Sequence, residues 1–243
     1  MTRTLRVLSM LLSYPDDAIK EAAPAFREAI VKEALLPDPV RDRVLELIGQ
    51  MEARDLYDLQ ERYILLFDRT RSLSLHLFEH LHGEGRDRGQ AMVDLMALYE
   101  RHGLEISAKE LPDYLPLFLE FLSTLPLDEA RETLSQPLHI LSALGERLRK
   151  RESPYAGVFA ALQDLAAGTP DGAELKALLD TPDDDPNDLA ALDAAWEAEA
   201  VTFGPAAPDP ASGCPKMSDI LKQMHTDPAP PDSPAGDASP GTN

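Results

Sequence analysis

Apolar side chains recur at three- and four-residue spacing almost everywhere before about residue 200, and that regularity leaves the chain little to form besides helices. Leu5, Leu8, Leu11 and Leu12 share one face, and Tyr14-Pro15-Asp16 ends the segment. Asp16 and Asp17 cap a second helix through about Ala34, and Pro37-Asp38-Pro39 opens a third that reaches about Ala53. Asp55 starts a fourth with Leu56, Leu59, Tyr63, Leu66 and Phe67 on its apolar side. The spacing predicts further helices over Ser72–Leu81, Asp87–His102, Pro112–Leu125, Asp128–Lys150 (broken near Gln136-Pro137) and Ser153–Ala167. Weaker ones follow at Asp171–Leu179 and Asn187–Ala200. No stretch is read as alternating with strand period. The expected fold is all-α, a single-domain bundle of about nine to eleven helices.

The helix over Pro112–Leu125 carries the most information. Tyr114, Leu115, Leu117, Phe118, Leu119, Phe121, Leu122 and Leu125 cover about 200° of its circumference at roughly 100° per residue. A one-sided surface helix needs a stripe only a little wider than about 100°. This helix is therefore expected to be central, or to line a groove with one apolar flank.

The 243 residues include 23 Lys+Arg against 43 Asp+Glu, a formal charge of −20. Phosphate recognition needs a positive footprint, so nucleic-acid binding is disfavoured, and so is a polybasic lipid contact. A basic partner is the natural complement. The charge is uneven: residues 170–243 hold 3 basic and 15 acidic side chains, and nine of the 21 prolines fall after residue 200. The sequence thus divides into a helical domain over 1–203 and an acidic, Pro-rich tail over 204–243, expected to be disordered apart from a short helix at Ser218–Met224. The start of the chain mimics a signal peptide, but its apolar stretch is short, holds Ser9 and lacks a cleavage site. No apolar run approaches the ~18–20 residues a membrane helix needs. The lone Cys214 offers neither an internal disulfide nor a cysteine-based zinc site, and all of this suits a cytoplasmic protein.

The densest run of chemistry-bearing residues is His76 to Gln90. On a helix His76 and His80 would stand at i, i+4, a spacing metals use, with Glu79, His82, Glu84 and Asp87 near enough to complete a hydrolytic centre. The competing reading is a helix end whose histidines cap carbonyls and pair with carboxylates. Gly83 to Gly89 lacks the strand and the Lys-Ser/Thr ending of a phosphate loop; a tight connection with Arg86 and Arg88 pairing with carboxylates reads better. No Gly-x-Ser-x-Gly elbow supports a nucleophile, and Asp183-Asp184-Asp185 lacks the spaced oxygens of a calcium loop. Glu110 and Asp113 flank Pro112 at a helix start, either as ordinary capping or as an acidic rim beside an apolar flank.

Three blocks carry a resemblance: Tyr63-Ile-Leu-Leu-Phe-Asp-Arg; Ser72-Leu-Ser-Leu-His-Leu-Phe-Glu-His-Leu-His-Gly-Glu-Gly-Arg-Asp-Arg-Gly-Gln-Ala-Met-Val-Asp-Leu95; and Glu110-Leu-Pro-Asp-Tyr-Leu-Pro-Leu-Phe-Leu-Glu120. Together with Arg151-Glu-Ser-Pro-Tyr155 and Ala191 to Glu199 they closely resemble the nitrate reductase molybdenum-cofactor assembly chaperones, also called nitrate reductase delta subunits, over about residues 5–203. The tail after 204 departs from the family pattern. The resemblance implies an all-helical cytoplasmic chaperone with no catalytic activity and no cofactor of its own. It implies binding of the apo alpha subunit of nitrate reductase, notably its N-terminal segment, during insertion of the molybdenum cofactor and iron–sulfur cluster. Molybdenum-cofactor biosynthesis proteins are further implied partners, without nucleic acid and without stable membrane association. A sibling chaperone for another molybdoenzyme is the nearest alternative, and a metal-dependent hydrolase using His76, His80, His82 and Asp87 the more distant one.

A helix-in-groove site needs an apolar trough with charges at its rim. Tyr63, Leu66 and Phe67, facing Tyr114, Leu117 and Phe121, are the expected trough. Glu79, Glu84, Glu110 and Asp113 are the expected acidic rim, with Phe78, His80, His82, Arg86, Asp87, Arg88 and Pro112 completing the candidate partner-binding set.

Overall fold

The computed structural model describes residues 1–81, 86–106 and 110–183, with Arg86 and Asp87 described by backbone alone. The expected tail, the helices at Asn187–Ala200 and Ser218–Met224, Cys214, His82 and Glu84 lie outside the described residues. Among those described there are ten α-helices: α1 (Arg3–Leu11), α2 (Asp17–Glu33), α3 (Asp38–Ala53), α4 (Leu56–Tyr63), α5 (Arg86–Arg101), α6 (Leu115–Thr124), α7 (Leu127–Ser135), α8 (Leu138–Lys150), α9 (Ala156–Leu165) and α10 (Gly172–Asp180). No described helix is long and apolar enough to cross a membrane.

The boundaries follow the local chemistry the sequence announces. Asp16 caps α2 by accepting from the Ile19 amide at 2.7 Å, Asp55 caps α4 through Tyr57, and Asp171 caps α10 through Ala173 and Glu174. Pro137 separates α7 from α8, since its ring cannot continue the hydrogen-bond ladder. The α6 helix is central. Leu115, Phe118, Leu119, Phe121 and Leu122 are all buried, and α1 lies along it, tied by Ser9 Oγ donating to Pro116 O at 2.6 Å and by the Thr2 amide to Ser123 O. One close crossing fixes the other layer: a Cβ at Gly157 on α9 would fall 2.9 Å from Arg43 Cβ on α3, so this position admits only hydrogen.

Two expectations need correction. Ser72–Leu81 is not an α-helix. It forms short 3₁₀ turns at Arg71–Leu73 and Leu77–His80 around an extended segment whose His76 bridges antiparallel to Tyr114. Leu115 donates to Leu75 O at 2.8 Å, and Leu77 donates to Asp113 O at 3.0 Å. Ser72-Leu-Ser-Leu-His-Leu77 does alternate polar and apolar, which is strand period; Leu73, Leu75 and Leu77 enter the core, and Ser72 and Ser74 are buried as well, leaving only His76 half-buried. The second correction concerns α6, which begins at Leu115 and not at Pro112. Residues 110–114 are a turn closed by the Tyr114 amide on Leu111 O, and the Asp113 carbonyl is spent on the Leu77 amide.

Candidate functional site

The 75–77 segment, the 110–114 turn and α4 meet along one edge of the bundle. Asp113, 0 % exposed, organises the meeting. Its carboxylate accepts from the Phe78 amide at 3.0 Å and from His76 Nδ1 at 3.3 Å, while Tyr99 OH donates to the carbonyl of Pro112 at 2.7 Å. His80 turns inward and donates through Nε2 to Ser74 O at 2.8 Å. Outside this knot runs an aromatic seam. The His76 ring lies 5.3 Å from that of Tyr114, whose hydroxyl is 3.0 Å from Tyr63 OH, and Tyr14 meets Tyr63 edge-on at 5.6 Å. Tyr63 has a single proton, which goes to Leu12 O at 2.9 Å, so Tyr114 is the donor between the two phenols. Burial pushes both phenols upward, which keeps them protonated as this chain of bonds requires.

The histidines respond in opposite directions. The hydrogen bond to Asp113 raises His76 despite partial burial, whereas burial lowers His80. The stabilisation due to His76 is therefore complete below its unfolded value of about 6.5 and lost as pH rises through the raised folded value. That due to His80, held neutral, is present above about 6.5 and lost as pH falls toward the lowered folded value. Thermal melting at pH 7.5 and 5.5 separates them. Acidification should destabilise His76→Gln more than the wild type and His80→Gln less; three parallel responses would refute the assignment.

The structure disperses much of the expected site. Tyr63, Phe67 and Phe121 are core residues, 3 %, 6 % and 2 % exposed, and no partner reaches them while the bundle is closed. The Tyr63 ring packs against Phe67, and Phe67 edge-on against Tyr155, whereas Phe121 packs beside Tyr99 and Phe118 further along α6. The trough drawn between those aromatics is thus filled by the aromatics themselves. Asp113 is no rim acid, because burial and its two donors consume it, and Phe78 and Pro112 are buried beside it. Leu66, Leu117 and Tyr114 are half-buried, and Glu79 and Glu110 are exposed. Arg88 does pair with a carboxylate, Glu79, at 3.6 Å. His76 and His80 do not share an α-helical face, so the metal reading loses its premise; among the described residues no group of three metal-ligating side chains converges.

What the sequence reading missed lies on the opposite face of α4. There a π-helical turn at Ile64–Asp68 follows the helix, and Tyr14, Tyr57, Asp58, Gln60, Glu61, Ile64, Leu65 and Arg69 enclose a surface cavity of about 430 Å³. Its one available signal was Tyr57, an aromatic on the polar side of an amphipathic helix, which the structure leaves 80 % exposed.

A family model described as "Nitrate reductase delta subunit" matches residues 15–161, the segment that contains α4, the 75–77 bridge, the Asp113 knot and α6. The chain belongs to the nitrate reductase delta subunit family. It is 45% identical over 201 residues to the nitrate reductase molybdenum cofactor assembly chaperone NarJ of Escherichia coli (strain K12), covering 82% of this chain and 84% of that one. The probable chaperone of the same kind NarW, from the same organism, is 41% identical and covers 82% of this chain and 83% of its own. The probable NarJ of Bacillus subtilis (strain 168) is 33% identical over 63% of this chain and 82% of its own length.

Proposed function

We propose that this chain is a dedicated chaperone of respiratory nitrate reductase, without catalytic activity. It holds the apo catalytic (alpha) subunit by its N-terminal segment and keeps it open to insertion of the molybdenum cofactor and iron–sulfur cluster before docking at the membrane. The observation that carries this reading is family membership with relatives whose names state assembly of that cofactor. The site supports it chemically. Half-buried Tyr114, His76, Leu66 and Leu117 offer apolar contact, exposed Glu79 and Glu110 offer negative charge at the edge, and the −20 formal charge accelerates encounter with a basic segment. The work is cytoplasmic, because the client is caught before it reaches the membrane.

A client that must later be released calls for moderate affinity, with Kd on the order of µM to tens of nM. Calorimetric titration with a synthetic peptide of the N-terminal segment of the nitrate reductase alpha subunit of the same organism should show saturable binding in that range. No heat at any of several pH values would overturn the proposal. Binding only to the leading peptide of another molybdoenzyme would transfer it to that client.

A further inference from the structure

The cavity on the outer face of α4 has the dimensions and chemistry of a side-chain receptor. Its volume of about 430 Å³ falls within the roughly 300–1,000 Å³ of ligand pockets. Ile64 and Leu65 are presented by the π turn, a local geometry that recurs at functional sites. Tyr14 and Tyr57 add aromatic surface. The Tyr14 side is fixed in advance: Gln60 Nε2 donates to Pro15 O at 2.8 Å, and the Tyr14 ring rests edge-on against buried Tyr63. A wall already ordered costs a ligand little conformational entropy.

Charge decides what kind of ligand. Asp58 and Glu61 stand at i, i+3 on α4 beside the apolar lining, and neither meets a cation among the described residues. Some carboxylates on other helices are neutralised, Glu52 by Arg27 at 2.9 Å and Glu146 by Arg149 at 2.7 Å among them; what sets Asp58 and Glu61 apart from the remaining acids is that both line an apolar recess. Two unneutralised acids beside an apolar recess complement a helix that carries an apolar residue and a cation one turn apart.

We propose that this cavity seats an apolar side chain of the client's basic, amphipathic N-terminal helix, and that Asp58 and Glu61 take a Lys or Arg lying one turn from it. The proposal rests on the function proposed above and adds to the edge at Tyr114 and Leu117 a second contact, on the outer face of α4, opposite the face its aromatics turn to the core. Arg69 follows the π turn, at the other end of this rod from Asp58, and repels a second cation there. The client helix is thereby set in one direction.

The test titrates the full chain with the same synthetic alpha-subunit peptide. Tyr57→Ala and the double variant Asp58→Asn/Glu61→Gln should each weaken binding about tenfold. The double variant should also flatten the salt dependence, and it should lose nothing further when the peptide's basic residue is replaced by Gln. Both variants alter exposed or rim positions, and unchanged thermal melting confirms their fold. Wild-type affinity in both variants, with the wild type binding normally, overturns the pocket while leaving the chaperone function standing. Failure of the wild type itself to bind removes both.

Discussion

Asp113→Ala is expected to remove about 3 kcal/mol of folding stability, because it orphans the buried Phe78 amide and the His76 imidazole together. A buried donor left without a partner costs about 1–3 kcal/mol and the half-buried imidazole adds less, and among the described residues Asp113 is the only side-chain acceptor given to the Phe78 amide or to His76 Nδ1. The loss is a large share of the roughly 5–15 kcal/mol that holds a domain folded. Asp113→Asn keeps an acceptor for Phe78 and should cost about half as much. Urea unfolding checks both, read as a fall in midpoint at constant slope. A shift worth less than about 1 kcal/mol for the alanine variant would mean that the knot does not hold residues 75–78 to the turn before α6.

Arg147→Leu should be as damaging by a different route. Arg147 lies on α8 at 4 % exposure, and its guanidinium meets no carboxylate among the described residues. It donates to three carbonyls instead: Nη1 to Ser72 O at 2.7 Å, and Nη2 to Leu178 O at 2.7 Å and Thr181 O at 3.3 Å. The last two are orphan carbonyls at the C-terminal end of α10, so a residue of α8 caps α10 from outside. Charge-assisted bonds of this kind contribute about 1.5–3 kcal/mol each, and removing the donor should cost about 3–5 kcal/mol in all. The damage should be local first. Hydrogen exchange is expected to show α10 losing protection ahead of α8 and α9. Arg147→Lys should rescue only part, since one ammonium cannot reproduce a planar fork that serves two separated segments. Full rescue by lysine would show that charge alone, without the fork, ties α10 to α8.

The helices were legible because their signals are local. Asp16, Asp55 and Asp171 cap the helices they precede, Pro137 breaks the ladder where it stands, and the nearly all-apolar circumference of residues 114–125 is what a central helix needs. The Ser72–Leu81 segment shows where locality misleads. Its leucines fit a helix at i, i+4 and a strand at i, i+2, and pattern alone does not rank the two. Pairing with residues 113–115 ranks them, because amides that a helix would satisfy internally are satisfied by Asp113 and Leu75 across the chain. The same limit governed the site. Tyr63, Phe67 and Phe121 look identical in sequence whether they face a groove or the core.

From its residues alone the chain determined its helical class, most helix boundaries, its acidity and its membership of a family, since each is written in neighbouring positions or in a long unbroken block. Only the tertiary structure decided that Asp113 is an interior tie and not an edge charge, that the aromatics fill the trough they were expected to line, and that the accessible recess opens behind α4. Those outcomes depend on which segments come to lie against one another, and burial is a property of that arrangement, held by no residue on its own.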